Sequence, residues 1–284
     1  MNVGNSFNSA TSTGVDRLSP RFFHPVSDNA LPNIRTTQEL TKLWHRVLQD
    51  FTPRKLTAPQ DRLKAIAGVA EEFYLRLKSR YVAGLWEHHL LGDLLWTKDD
   101  VDLLPRPSIY RAPSWSWASV DGTIYNPGPV VEPHEACCVI LDYKADLAHE
   151  ALPYGHLKGG YLKVKARLMK MVWNSSRQCI YGSAPPNGEL AVIGGGRPDA
   201  LEDVKGEGKR EEVWALPLVL REPKQSVFPP REEVEKLPNL AGILLKAHYL
   251  HHGYYRRVAS FDCYMRREVE RVFQDSTEQI VTIL

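Results

Sequence analysis

The sequence predicts an α+β fold: a helical first third packed on an antiparallel β-sheet or open barrel. Three observations predict it. Apolar residues recur at helical spacing from Leu40 to Leu77. From Arg111 onward the period shortens towards two, most cleanly over 161–168. The helical signals precede the strand signals instead of alternating with them, which is the order of an α+β chain.

Each element has a local reason. Residues 1–35 are rich in Asn, Ser, Thr and Pro and are expected to form a disordered or extended arm. Thr36 and Glu39 have capping-box spacing, and Leu40, Leu43, Trp44, Val47, Leu48 and Phe51 then share one helical face. Thr52 precedes Pro53, which pushes it from the α region and ends the helix. A second helix is expected from Thr57, with Gln60 completing a box and Pro59 in the first turn. Its stripe is Leu63, Ile66, Ala67, Ala70, Phe73, Tyr74 and Leu77, and Gly68 is expected to mark a close contact. Residues 81–96 are apolar all round and suggest a short buried helix broken near Gly92. The helical subdomain is thus expected over 36–110 and a β-rich one over 111–284.

In the β-rich part, RAPSWSWASVDG is expected to be a strand with Trp115 and Trp117 on one face and Ser114, Ser116 and Ala118 on the other. Asp121-Gly122 signals a turn before a short strand at 123–125, and 136–143 is a strand candidate. In 161–168, Leu162, Val164, Ala166 and Leu168 are expected inside, with Tyr161, Lys163, Lys165 and Arg167 outside. The Gly-rich, charged stretch 182–211 reads as an exposed mobile loop. Strands are expected at 212–220 and 241–249, with Gly253 turning the latter into another at 254–263. A helix at 265–274 and a final strand at 279–284 complete the chain.

Composition limits function. Lys plus Arg is 36 and Asp plus Glu 34, which argues against a polybasic nucleic-acid binder and against an acidic tail. Seven Trp, twelve Tyr and eight Phe stand out, and five of the Trp fall within 44–117. The four Cys form no C-x-x-C pair and read as free thiols of a reducing compartment. The polar N-terminus lacks a signal-peptide pattern and no run is long enough to span a bilayer, so the expected location is the cytosol.

Several segments, in this order, resemble fungal heterokaryon-incompatibility (HET) domain proteins. LWHRVLQDFTPRKLTAPQDRLKAIAGVAEEF, with Asp61 and Arg62, resembles the helical stretch after the family's named domain. RYVAGLWEHHLLGDLLW, with Gly84, Leu85, Trp86, Leu95 and Trp96, resembles the next block. YRAPSWSWASVDG, with Arg111, Pro113, Ser114, Trp115, Ser116, Trp117, Asp121 and Gly122, resembles its most recognisable downstream motif. GILLKAHYLHHGYYRRVASF resembles a late hairpin and TEQIVTIL the closing strand. The likeness covers about residues 37–284 and is weak over about 144–235. The upstream blocks of the HET domain proper do not occur, and only Asp16–His24 resembles the segment that ends that domain.

The resemblance implies a region C-terminal to the HET domain, truncated or remnant in form, with a non-catalytic role in nonself recognition and programmed cell death. A protein partner or the upstream half is then expected to bind it. The alternatives are the non-catalytic half of a TIR-like NAD-cleaving enzyme, or a carbohydrate-binding module. If the upstream domain normally covers the helical third, Leu43, Trp44 and Leu85 should be partly exposed, and the largest exposed apolar area should lie on the face made by residues 1–60.

No residue is assigned here to catalysis, a cofactor or a metal, and a small-molecule ligand stays open. Trp115 and Trp117 suit stacking on a sugar or base, yet core anchoring is the ordinary use of such residues. Arg111 suits an anion, but a cap or ion pair to the helical third is favoured. Asp61 is a first-turn acid, and Glu71 and Glu72 read as a solvated face. His88-His89 and His251-His252 are adjacent, so their rings are expected to diverge as surface or half-buried side chains. Ser114 and Ser116 lack a nucleophile elbow, and Gly194–Gly196 lacks the strand–loop–helix setting of a phosphate loop. Lys163, Lys165, Arg167 and Lys170 with Tyr161 form a basic row, read as a solvated strand face.

Overall fold

The structure is a computed structural model; residues 36–98, 103–126, 131–182, 191–223, 237–248 and 253–284 are described. The expected arm at 1–35 and the pair His251-His252 lie outside the described residues. The fold is α+β, with four α-helices among the described residues and a six-stranded antiparallel barrel that carries extra strands.

Helix α1 (Thr37–Phe51) starts as its sequence dictates. Thr36 Oγ1 accepts from the Glu39 N–H at 3.2 Å, and Glu39 Oε2 accepts from the Thr36 N–H at 2.9 Å. Leu40, Leu43, Trp44, Val47 and Leu48 are buried along one face. The expected second helix begins later. Residues Pro59–Asp61 and Lys64–Ile66 form separate 3-10 turns, and Ile66 at φ −103°, ψ 0° interrupts the helical path. Only Ala67–Leu77 is α2. The Thr57 box does not form, because Ala58 precedes the first turn and has no side-chain acceptor. Gly68 marks no close contact either: a Cβ there would meet nothing within 4 Å.

The expected buried helix over 81–96 is mostly other structure. Strands β1 (Tyr81–Val82) and β2 (Leu85–Trp86) form a hairpin whose turn residues, Ala83 and Gly84, have φ +51° and +98°. Two positive φ values give a turn that matches strand twist, which favours the hairpin over a helix here. A 3-10 turn at Glu87–His89 leads into the short α3 (Leu90–Asp93), and Gly92 sits inside α3 instead of breaking it. Strand β3 (Thr97–Lys98) pairs with β4 (Ile124–Tyr125).

The segment expected as a strand, 111–122, is a knot of turns with a 3-10 helix at Trp117–Ser119. Local hydrogen bonds defeat the alternation. Ser116 Oγ accepts from the Ala118 N–H at 3.0 Å, and Ser119 Oγ donates to the Ser116 carbonyl at 2.7 Å.

The remaining strands are β5 (Cys138–Leu147), β6 (Leu157–Arg167), β7 (Met169–Asn174), β8 (Cys179–Tyr181), β9 (Val192–Pro198), β10 (Glu211–Arg221), β11 (Asn239–Ala247), β12 (Tyr254–Tyr264) and β13 (Glu278–Ile283). Strands β11, β10, β7, β8, β9 and β12 pair in that order, and β12 returns to β11 to close the barrel. From β12 the sheet continues through a parallel pairing with β13 and then antiparallel to β6 and β5. Leu162, Val164, Ala166 and Leu168 face inward as the alternation expects.

Of the stretch 182–211 expected as an exposed mobile loop, 183–190 lie outside the described residues, 192–198 form β9, and 204–210 are irregular and mostly exposed. Strand β9 is a barrel wall, and Gly194 and Gly196 suit it because other segments of the chain come close. A Cβ on Gly194 would lie 2.4 Å from the Asp262 carbonyl oxygen, and one on Gly196 2.8 Å from Trp173 Nε1. Trp173 Nε1 donates to the Gly196 carbonyl at 3.0 Å. Pro217 in β10 is tolerated at a bulge, where the Leu218 carbonyl instead accepts from the Cys137 N–H at 2.9 Å. Helix α4 (Arg267–Asp275) adds Val269 to the barrel core formed by Met171, Trp173, Val213, Leu244, Val258 and Phe261.

Candidate functional site

The residues that carry the resemblance meet at one place, the joint between the helical third and the barrel. Trp96, Trp115 and Trp117 are buried there, and Trp86 is buried beside it in the helical third. Trp117 Nε1 donates to the Gly84 carbonyl at 2.8 Å, and Trp96 Nε1 to the Trp115 carbonyl at 2.9 Å. Ser116 Oγ donates to the Ala83 carbonyl. Ser114 Oγ accepts from the Arg257 N–H at 3.0 Å and donates to the Leu284 carbonyl oxygen. Pro113, Leu85 and Leu95 pack in the same core, and Gly122 at φ +83° turns the chain after it. Ser114 and Ser116 therefore do not face outward. A sugar-stacking role for Trp115 and Trp117 is also overturned, since both indoles have 0% exposure and present no face to a ligand.

Arg111 reaches the helical third. Its Nη1 donates to the Pro59 carbonyl at 3.1 Å and to Asp121 Oδ1 at 2.9 Å, and its Nη2 to the Val120 carbonyl at 3.0 Å. Arg62 lies beside it and donates to the Thr52 carbonyl at 2.6 Å, capping the C-terminus of α1. Burial lowers the Arg62 pKa to about 10 against the pull of Asp121. Asp61 pairs with His156 at 2.7 Å.

Behind this joint lies a fully buried ion pair. Arg257 Nε donates to Asp199 Oδ2 at 3.0 Å and Nη1 to the Leu94 carbonyl at 2.7 Å, while Nη2 reaches the Trp96 carbonyl. The guanidinium lies 3.5 Å from the centre of the Trp96 ring. Arg106 adds a 2.8 Å contact to buried Asp203 and donates to the Arg257 carbonyl at 3.1 Å.

A second cluster, in the helical third, went unassigned in the sequence. His45 Nε2 lies 2.8 Å from Asp93 Oδ1, and His89 Nδ1 lies 2.9 Å from the same oxygen. Asp93 Oδ2 accepts from the Trp86 N–H at 2.8 Å. His89 Nε2 accepts from the Val131 N–H at 3.3 Å. Burial alone pushes the Asp93 carboxyl up, but the hydrogen bonds and charge of His45 and His89 outweigh it and hold it well below the usual carboxylate range. His88 and His89 diverge as expected of neighbours. His88 turns to Thr41 Oγ1 at 3.1 Å, while His89 is buried instead of lying at the surface. The available signal was the i, i+4 spacing of His89 and Asp93; His45, on another helix, gave none.

Other expectations fall away from these sites. Leu43, Trp44 and Leu85 are buried, so the apolar face expected there is not seen among the described residues. The basic row is met by acids: Lys165 with Glu278 at 2.7 Å and Lys170, on β7, with Glu212 at 2.8 Å. A cleft of about 700 Å³ lies between α4 and the barrel wall, away from both clusters, and Lys170 in its lining is already paired. Among the described residues no helix is long and apolar enough to cross a membrane. Comparison with protein-family models, with curated proteins and with solved structures gives no match.

Proposed function

We propose that this chain is a regulatory or recognition region of the heterokaryon-incompatibility type, acting in nonself recognition without catalysing a reaction itself. The observation that supports this reading is the fate of the motif side chains. Ser114, Ser116, Trp115, Trp117 and Arg111 are buried, and the groups on them that could do chemistry are largely spent on carbonyls, Asp121 and backbone N–H groups. A motif used this way fixes the angle between helices and barrel, and leaves recognition to the outer surface. The partner under this reading is a HET domain or another protein.

Expression in a filamentous fungus tests it. The 284 residues alone should leave growth normal, and co-expression with a HET domain supplied in trans should change how strongly that domain arrests growth. Death caused by this chain alone refutes the proposal, as does NAD cleavage by the purified chain.

A further inference from the structure

We propose that His45, His89 and Asp93 form a site for a divalent transition-metal ion of the zinc class. Two chain segments converge to make it: α1 supplies His45, and the continuous stretch of the 3-10 turn and α3 supplies His89 and Asp93 at i, i+4 spacing. Their ligating atoms all lie within 4.8 Å of one another. Two neutral imidazoles with one carboxylate is a donor set that zinc uses with a water as fourth ligand. A cavity of about 10 Å³, at the lower limit for one water molecule, touches His45 and Asp93 but not His89, and its lining is otherwise Tyr125, Asn126 and five apolar side chains.

The surroundings orient the ligands. Trp86 N–H holds Asp93 Oδ2, which turns Oδ1 towards both rings, as an outer partner of a ligating carboxylate does. Charge points the same way. Asp93 is 3% exposed, and its ion-pair partners among the described residues are the two imidazoles. A divalent ion at this position would compensate the buried carboxylate.

The competing arrangement is a metal-free one in which both rings donate to Asp93. The Val131 N–H separates the two. With that group donating to Nε2, His89 carries its hydrogen on Nδ1. An ion on Nδ1 takes that position, so the ring hydrogen moves to Nε2 and faces the Val131 N–H. On His45 the hydrogen moves from Nε2 to Nδ1. With both rings neutral no proton is released. Metal occupancy and the His89–Val131 hydrogen bond therefore exclude each other.

The test uses the full, tag-free chain, stripped with EDTA and dialysed against Zn²⁺ or Co²⁺. We expect one ion per chain by elemental analysis, visible Co²⁺ d–d bands of a low-coordinate site, and a Zn²⁺-dependent shift of the Val131 amide resonance. His45→Gln should lose the ion and the bands. His88→Gln should keep both, since His88 faces Thr41. Circular dichroism of each variant confirms that it is folded, and the wild-type stoichiometry stands as a test even if His45→Gln does not fold. Less than about a tenth of an ion per wild-type chain overturns the proposal, as does metal retained by folded His45→Gln or lost from folded His88→Gln.

Discussion

Replacing Arg257 by Met tests whether the joint between helices and barrel rests on the buried ion pair. The substitution keeps most of the side-chain volume. It leaves Asp199, which is 0% exposed, with Arg106 Nη2 at 3.8 Å as its remaining cation. It also strips the Leu94 and Trp96 carbonyls of their donors. Breaking one side of a buried pair costs about 3–5 kcal/mol. The orphaned carbonyls add about 1–3 kcal/mol each where water cannot reach them. Arg106 offsets part of this, so the expected loss is about 4–6 kcal/mol. Removing Asp199 as well, in Arg257→Met/Asp199→Leu, should recover about 1–3 kcal/mol relative to the single variant, because the uncompensated charge is gone. Recovery is incomplete because the two carbonyls stay unpaired. Urea unfolding followed by tryptophan emission reads these values, and Trp96 reports on the joint directly because Arg257 stacks on it. A loss below about 1 kcal/mol for Arg257→Met, or a double variant equal to the sum of the singles, refutes the reasoning.

Three further outcomes are expected. Gly68→Ala should stabilise the protein by about 0.5–1 kcal/mol in the same urea assay, since the residue lies in α2 and a Cβ meets nothing within 4 Å. Gly84→Ala should destabilise it by more than about 2 kcal/mol, because φ is +98° and the new Cβ would lie 2.5 Å from Trp117 Nε1, whose hydrogen bond it would displace. Burial pushes the thiols of Cys138 and Cys263 up to about 12 from an ordinary value near 9. Their raised folded-state values mean the associated stability is fully present below pH 9 and is lost as pH rises towards 12. Urea midpoints across pH 8–12 should therefore fall less steeply in Cys138→Ala/Cys263→Ala than in the parent, and equal slopes would count against it.

The sequence made local structure legible where a cap or an apolar period decided it. The Thr36–Glu39 box and the Leu40–Leu48 stripe needed nothing beyond α1, and the Leu162–Leu168 alternation nothing beyond one strand face. Expectation and structure part where distant chain decides the outcome, or where side chains bond their own backbone. Gly194–Gly196 looks like a loop until Asp262 and Trp173 are seen against its backbone. PSWSWAS alternates like a strand, yet Ser116 and Ser119 bond their own backbone and fold it into a 3-10 turn. Of the two clusters, the joint was visible as a dense aromatic motif, whereas His45 and His89 are 44 residues apart and meet only through the packing of α1 on the hairpin and α3.

The two clusters also divide the aromatic excess between them. At the barrel joint Trp96 and Trp117 use their indole N–H groups, Trp115 its carbonyl, and the Trp96 ring face lies under Arg257. Trp44 and Trp86 instead stand edge to face at 5.5 Å in the helical third, with Tyr81 completing the set at 5.9 and 5.1 Å. Trp86 belongs to both worlds: its ring packs this aromatic set while its N–H holds Asp93. Trp44 precedes His45 in α1 in the same way, so the aromatic packing that seats α1 also sets the position of a His–Asp contact. Changes to the Trp44–Trp86 packing should therefore register at Asp93 before they register at the barrel. A dense tryptophan composition that gives no reaction by itself thus fixes the geometry of the polar groups on which a reaction or a bound ion would depend.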